Sequence, residues 1–134
     1  MTSAHASHVP SMPSVLLVED DPDLAELLQE LFVQVGWTVR LEHNGADALR
    51  SLKESPPDVL VTDCMMPQMS GRELVELMKG DPRLTHLPVI LMSGADSMLQ
   101  GIDPSHQTIL RKPFDPEALV DMAFEQLAAP GRRH

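Results

Sequence analysis

The chain has 134 residues, enough for one domain that buries a real core without disulfides or a structural metal. Twenty acidic against ten basic residues give a formal net charge of −10, which argues against a general nucleic-acid surface, where clustered lysine and arginine must face phosphate, and suits cation binding instead. A single cysteine, Cys64, excludes an internal disulfide and any multi-cysteine zinc site and fits a reducing, cytoplasmic compartment, and no apolar run approaches the ~20 residues that span a bilayer.

The opening MTSAHASHVPSMPS has neither the basic start nor the apolar stretch of a secretory signal, and residues 1–13 read as a loose tail. SVLLV (14–18) is a short apolar strand that runs straight into three carboxylates, Glu19, Asp20 and Asp21. In DPDLAELLQELFVQVG the apolar residues Leu24, Leu27, Leu28, Leu31 and Val35 recur at helical spacing, with Asp21 as N-cap, Pro22 in the first turn and Gly36 as the stop. GWTVRLE (36–42) alternates in part, which marks a second strand opened by Trp37. NGADALRSLKES reads as a shorter helix that turns Ala46, Leu49 and Leu52 inward.

DVLVTD (58–63) is a third strand, and SGRELVELMKG opens on a capping box of Ser70 and Glu73 and closes on Gly80. LPVILMS (87–93) and TILRKP (108–113) are the fourth and fifth strands, with a weakly marked helix placed between them in 95–101. DPEALVDMAFEQLAA repeats the Asp-Pro helix start at Asp115 and Pro116, and APGRRH closes the chain as a second tail, 129–134. Continuous apolar runs signal burial on both faces, the mark of a parallel sheet covered by helices. With right-handed crossovers this alternation gives an α/β, five-stranded, doubly wound sheet in the order 2-1-3-4-5 over residues 14–128.

In open α/β sheets the site lies beyond the carboxyl ends of the strands. Those ends carry Glu19 and Asp20 after the first strand, Asp63 on the third, Ser93 on the fourth, and Arg111 and Lys112 on the fifth. Acid, acid, hydroxyl and base therefore share one rim. Carboxylates so crowded repel one another unless a hard divalent cation sits among them, and Mg2+ suits two or three carboxylates better than calcium because it keeps positions open for water and a phosphoryl group. Taken singly, each residue has a plainer role as a solvated cap, a turn residue or a surface lysine; their coincidence at one edge points to chemistry.

VLLVEDDPDL, DVLVTDCMMPQMSG, VILMSG and RKPF, in this order over about residues 14–128, resemble a response-regulator receiver domain, with its flavodoxin-like fold. The resemblance implies that Asp63 takes a phosphoryl group from a phosphohistidine on a histidine kinase or histidine phosphotransfer protein. It also implies that Mg2+ is held by Asp20, Asp63 and the main-chain carbonyl of Met65, with Glu19 acting through water. Lys112 would face the phosphoryl oxygens, Ser93 would donate its hydroxyl, and the Lys112-Pro113 bond would be cis. Output is then expected through contacts with a downstream protein or through phosphorylation-dependent dimerisation. No direct binding to nucleic acid or membrane is expected, given the acidic charge and the lack of a long apolar run, and the chain shows no second, DNA-binding or enzymatic output domain.

Cys64, beside the nucleophile, should face the opposite way along the strand and serve packing, and Met65, Met66 and Met69 read as packing residues of the turn. Where receivers commonly carry an aromatic residue three positions before the lysine, this chain has Ile109, and the interval from Ser93 to Lys112 is short. The switch is therefore expected in residues 94–106, with little rotameric change at Ile109. Two other readings stand beside this one. A phosphorylation-independent scaffold, or a receiver cut from a larger regulator or hybrid kinase, would share the pattern. A magnesium-dependent phosphatase would need a second aspartate two residues after the nucleophile, where Met65 stands.

Overall fold

In the computed structural model, which describes residues 12–94 and 107–128, the five apolar runs are parallel strands: β1 (Ser14–Val18), β2 (Thr38–Glu42), β3 (Val59–Asp63), β4 (Val89–Ser93) and β5 (Gln107–Arg111). Their order in the sheet is β2-β1-β3-β4-β5, as the doubly wound reading requires. Four helices lie among the described residues: α1 (Pro22–Gln34), α2 (Gly45–Glu54), α3 (Gly71–Met78) and α4 (Pro116–Ala128). The helix expected in 95–101, and the switch assigned to 94–106, fall outside the described residues apart from Gly94. None of the described helices is long and apolar enough to cross a membrane.

Alternation along the buried strands divides the core in two. Val15, Leu17, Val59, Val61, Ile90 and Met92 face Leu28 and Phe32 of α1 and Leu119, Ala123 and Leu127 of α4. Leu16, Val18, Leu60 and Leu91 face Ala48 and Leu52 of α2 and Leu74, Val75 and Met78 of α3. Ile109 packs at the edge of the second cluster, half-buried.

Two helix faces differ from the sequence reading. In α1 the buried stripe is Ala25, Leu28 and Phe32, while Leu27 and Val35 are exposed. The sheet thus selects a face centred one residue further round, where Phe32 offers the largest apolar area. In α2 it is Ala48, not Ala46, that points inward with Leu52, the two lying one turn apart on the face that meets the sheet, in a helix whose N-cap is Asn44. Its side chain accepts from the Asp47 amide at 2.8 Å.

The second strand begins at Thr38 rather than Gly36, because Gly36 and Trp37 complete the end of α1. Gly36 sits at φ +99, a left-handed conformation that favours glycine. Its amide donates to Val33 and that of Trp37 to Phe32, the paired bonds of a Schellman motif. The Trp37 ring, almost fully buried, packs edge-on against Phe32 and Phe124, both at 5.2 Å. Trp37 therefore joins α1 to α4 instead of opening a strand.

Candidate phosphoacceptor site

Parallel register brings the strand ends level. Val18 pairs with Glu42 on one side and Thr62 on the other, Asp63 pairs with Met92, and Ser93 with Arg111. Residues just past Val18 therefore stand beside Asp63, and Lys112, just past Arg111, stands at the same rim.

Asp63 is nearly buried at the end of β3. Its Oδ2 accepts from Lys112 Nζ at 3.0 Å, across a sequence separation of 49 residues, and its Oδ1 accepts from the Met65 amide at 3.2 Å. Lys112 Nζ also lies 3.7 Å from Glu19 Oε1, an ion-pair contact beyond hydrogen-bond reach. Burial works against the Lys112 ammonium, but the Asp63 hydrogen bond and the charges of Asp63, Glu19 and Asp20 more than offset it, so its pKa is raised. The lysine stays charged. The Lys112-Pro113 bond is cis, and the Lys112 amide donates to the Ser93 carbonyl at 2.7 Å, which ties the end of β4 to the end of β5.

Glu19, Asp20 and Asp63 each place a carboxylate oxygen within 4.8 Å of the others'. Glu19 is 1% exposed. Its Oε2 accepts from the Asp21 amide at 3.0 Å, while Oε1 is buried without a hydrogen-bond partner. Burial, reinforced by the charge of Asp63, pushes the Glu19 carboxyl up to about 7, against the opposing pull of the Asp21 amide and Lys112. A buried oxygen that accepts no hydrogen bond, in a trio of convergent carboxylates, fits a hard, oxygen-seeking cation. Asp20, exposed at the rim, completes the trio.

The remaining expected residues take up definite places. Asp21 is the α1 N-cap, accepting from Asp23 and Leu24. Ser93 is fully buried, and its hydroxyl donates to the Gly94 carbonyl at 3.1 Å; it is grouped with the site by position and not by a hydrogen bond to Asp63. The Met65 side chain is exposed, so its tie to the site is its main chain. Cys64 faces the α2–α3 side of the sheet, and burial, with the charge of Asp63, raises its thiol pKa. It is a neutral packing group.

Two contributors were not singled out from the sequence. Gly71 begins α3 directly under the site, its amide donating to the Cys64 carbonyl at 2.9 Å; the only signal for it was its place in the run after Asp63. His43, just past β2, has Nδ1 3.0 Å from the Glu19 carbonyl, a relationship that no local spacing announces.

The response regulator receiver domain family matches residues 15–124. The chain is 33% identical over 116 residues to hybrid signal transduction histidine kinase D of Dictyostelium discoideum, a match covering 84% of this chain and 7% of that protein. It is 33% identical over 118 residues to protein Rrf1 of Nitratidesulfovibrio vulgaris, covering 87% of this chain and 85% of the relative. Of two other curated relatives it spans 53% and 11% of the length, so it corresponds to a fraction of many of the proteins it matches. Among solved structures, the receiver domain of sensor histidine kinase PA1611 from Pseudomonas aeruginosa, described with a magnesium ion coordinated in its active-site cleft, superposes with a TM-score of 0.76 at 23% identity. That match covers 88% of this chain and 99% of that one, a likeness of fold. Sheet order, rim geometry and sequence similarity agree, and the chain belongs to the response regulator receiver domain family.

Proposed function

We propose that Asp63 is the phosphoacceptor and that its donor is a phosphohistidine on a histidine kinase or histidine phosphotransfer protein. The observation that carries this reading is the 3.0 Å contact between Lys112 Nζ and Asp63 Oδ2, at a rim shared with two further carboxylates. In the reaction an Asp63 carboxylate oxygen forms the new O–P bond as the donor's P–N bond breaks, and the electron pair leaves with the imidazole nitrogen. The attacking group and the incoming group are both anionic, so rate enhancement must come from positioning and charge neutralisation. Lys112 supplies a fixed positive charge, and the Met65 amide holds the carboxylate in place. Ser93, freed from the Gly94 carbonyl, is the hydroxyl donor to a phosphoryl oxygen.

Asp20, Asp63 and the main-chain carbonyl of Met65 would hold Mg2+, with Glu19 acting through water. The chemistry such an ion supplies is neutralisation of the acid cluster and of the phosphoryl oxygens. Residues 14–128 would form the receiver unit, with signal output through altered contacts to a downstream protein. Acetyl phosphate tests the core of this reading. Intact mass should show one phosphoryl group per chain, absent in Asp63→Asn and in EDTA; unchanged labelling of Asp63→Asn would remove the assignment.

A further inference from the structure

Glu19 extends the β1–β2 ladder one residue beyond the last strand pair, its amide donating to the Glu42 carbonyl at 3.1 Å. In a regular parallel ladder the following rung runs back from the other strand, here from the Asn44 amide to the Glu19 carbonyl. Among the described residues that bond is not made. Asn44 has instead become the N-cap of α2, accepting from the Asp47 amide at 2.8 Å and donating to the Asp47 carboxylate at 2.9 Å. The place of the missing rung is taken by a side chain. His43 Nδ1 lies 3.0 Å from the Glu19 carbonyl, and because a carbonyl oxygen only accepts, Nδ1 carries the hydrogen.

That carbonyl occupies a sensitive point. It belongs to the planar peptide unit joining Glu19 to Asp20, so fixing its direction restrains the backbone on both sides and with it the directions of both side chains. The same short segment presents the Asp21 amide to Glu19 Oε2. We propose that His43 is a positioning residue for the acid cluster: its imidazole replaces a main-chain donor, holds the Glu19–Asp20 peptide, and so keeps those two carboxylates grouped with Asp63. The inference rests on the reading of the cluster as a Mg2+ site.

Three variants test it. His43→Ala and His43→Phe remove the donor, the second while keeping a ring in place, and His43→Asn restores an N–H close to the position of Nδ1. Calorimetric titration with Mg2+ alone should show affinity weakened of order tenfold in His43→Ala and His43→Phe, the scale seen when a partner behind a metal ligand is lost, and mostly recovered in His43→Asn. In metal-free protein, the Asp21 amide should exchange with deuterium faster in the Ala and Phe variants than in the wild type. Wild-type affinity in His43→Phe, or unchanged Asp21 exchange, would overturn the proposal. Failure of the wild type to bind Mg2+ would instead overturn the reading of the cluster, and the metal-free exchange would still decide whether His43 holds the strand end.

Discussion

A β-carbon built on Gly71 would lie 2.5 Å from the main-chain oxygen of Asp63 and 3.2 Å from the Cys64 α-carbon. The first turn of α3 thus rests directly on the backbone that carries Asp63, and both of these atoms are main-chain atoms that cannot swing aside. Gly71→Ala must therefore displace the α3 start or the end of β3. We expect a loss of about 1–3 kcal/mol, the usual cost of overpacking, together with slower labelling of Asp63 by acetyl phosphate. Gly80→Ala is the control, since its nearest neighbour would be at an ordinary 3.7 Å. Urea unfolding of the two variants compares them, and equal stability would show that the α3 contact is soft.

The two acids that open the site separate by role. Asp20→Ala should weaken Mg2+ binding strongly with little effect on the metal-free fold, because Asp20 is exposed and belongs to the carboxylate trio. Asp21→Ala should leave Mg2+ affinity nearly intact and cost about 0.5–2 kcal/mol through loss of the α1 cap. Metal titration and thermal unfolding of both variants measure the separation.

Stability should depend on pH through Glu19. Its carboxyl, raised from 4.5 to about 7 in the folded chain, binds more protons folded than unfolded between those values, so in EDTA stability is greatest below 4.5 as far as this group is concerned and falls as pH rises towards 7 and beyond. A shift of this size corresponds to about 3 kcal/mol over the whole titration. Thermal scans from pH 5 to 8 in EDTA should show the decline, flattened in Glu19→Gln. Added Mg2+ should restore stability most at the alkaline end, where the ionised cluster binds it.

Trp37 should be among the costliest residues to truncate. Its edge-on contacts with Phe32 and Phe124 link α1 to α4, and Trp37→Ala should lose about 3–5 kcal/mol. The site lies at the other ends of the strands, so phosphorylation of the folded fraction should persist. Denaturation followed by circular dichroism, beside acetyl phosphate labelling, checks both halves.

Sequence by itself determined what depends on local pattern. Runs such as VLLV and VILM are buried on both faces wherever they fall in a parallel sheet, so strand identity, strand order and the rim on which Glu19, Asp20, Asp63, Ser93 and Lys112 gather follow from periodicity and handedness. Caps were legible for the same reason: Asp21 and Ser70 act on amides two or three residues away. Only the tertiary structure decided matters of phase and distance. Whether α2 buries Ala46 or Ala48 depends on how the helix is rotated against the sheet, and Trp37 turned inward because a ring from α4 waits beside it. The closeness of Gly71 to Asp63, the 3.0 Å reach of Lys112 and the His43 bond to Glu19 join residues from separate strands and loops. Such contacts are set by parallel register across the sheet, and register is a property of paired strands that no single stretch of sequence contains.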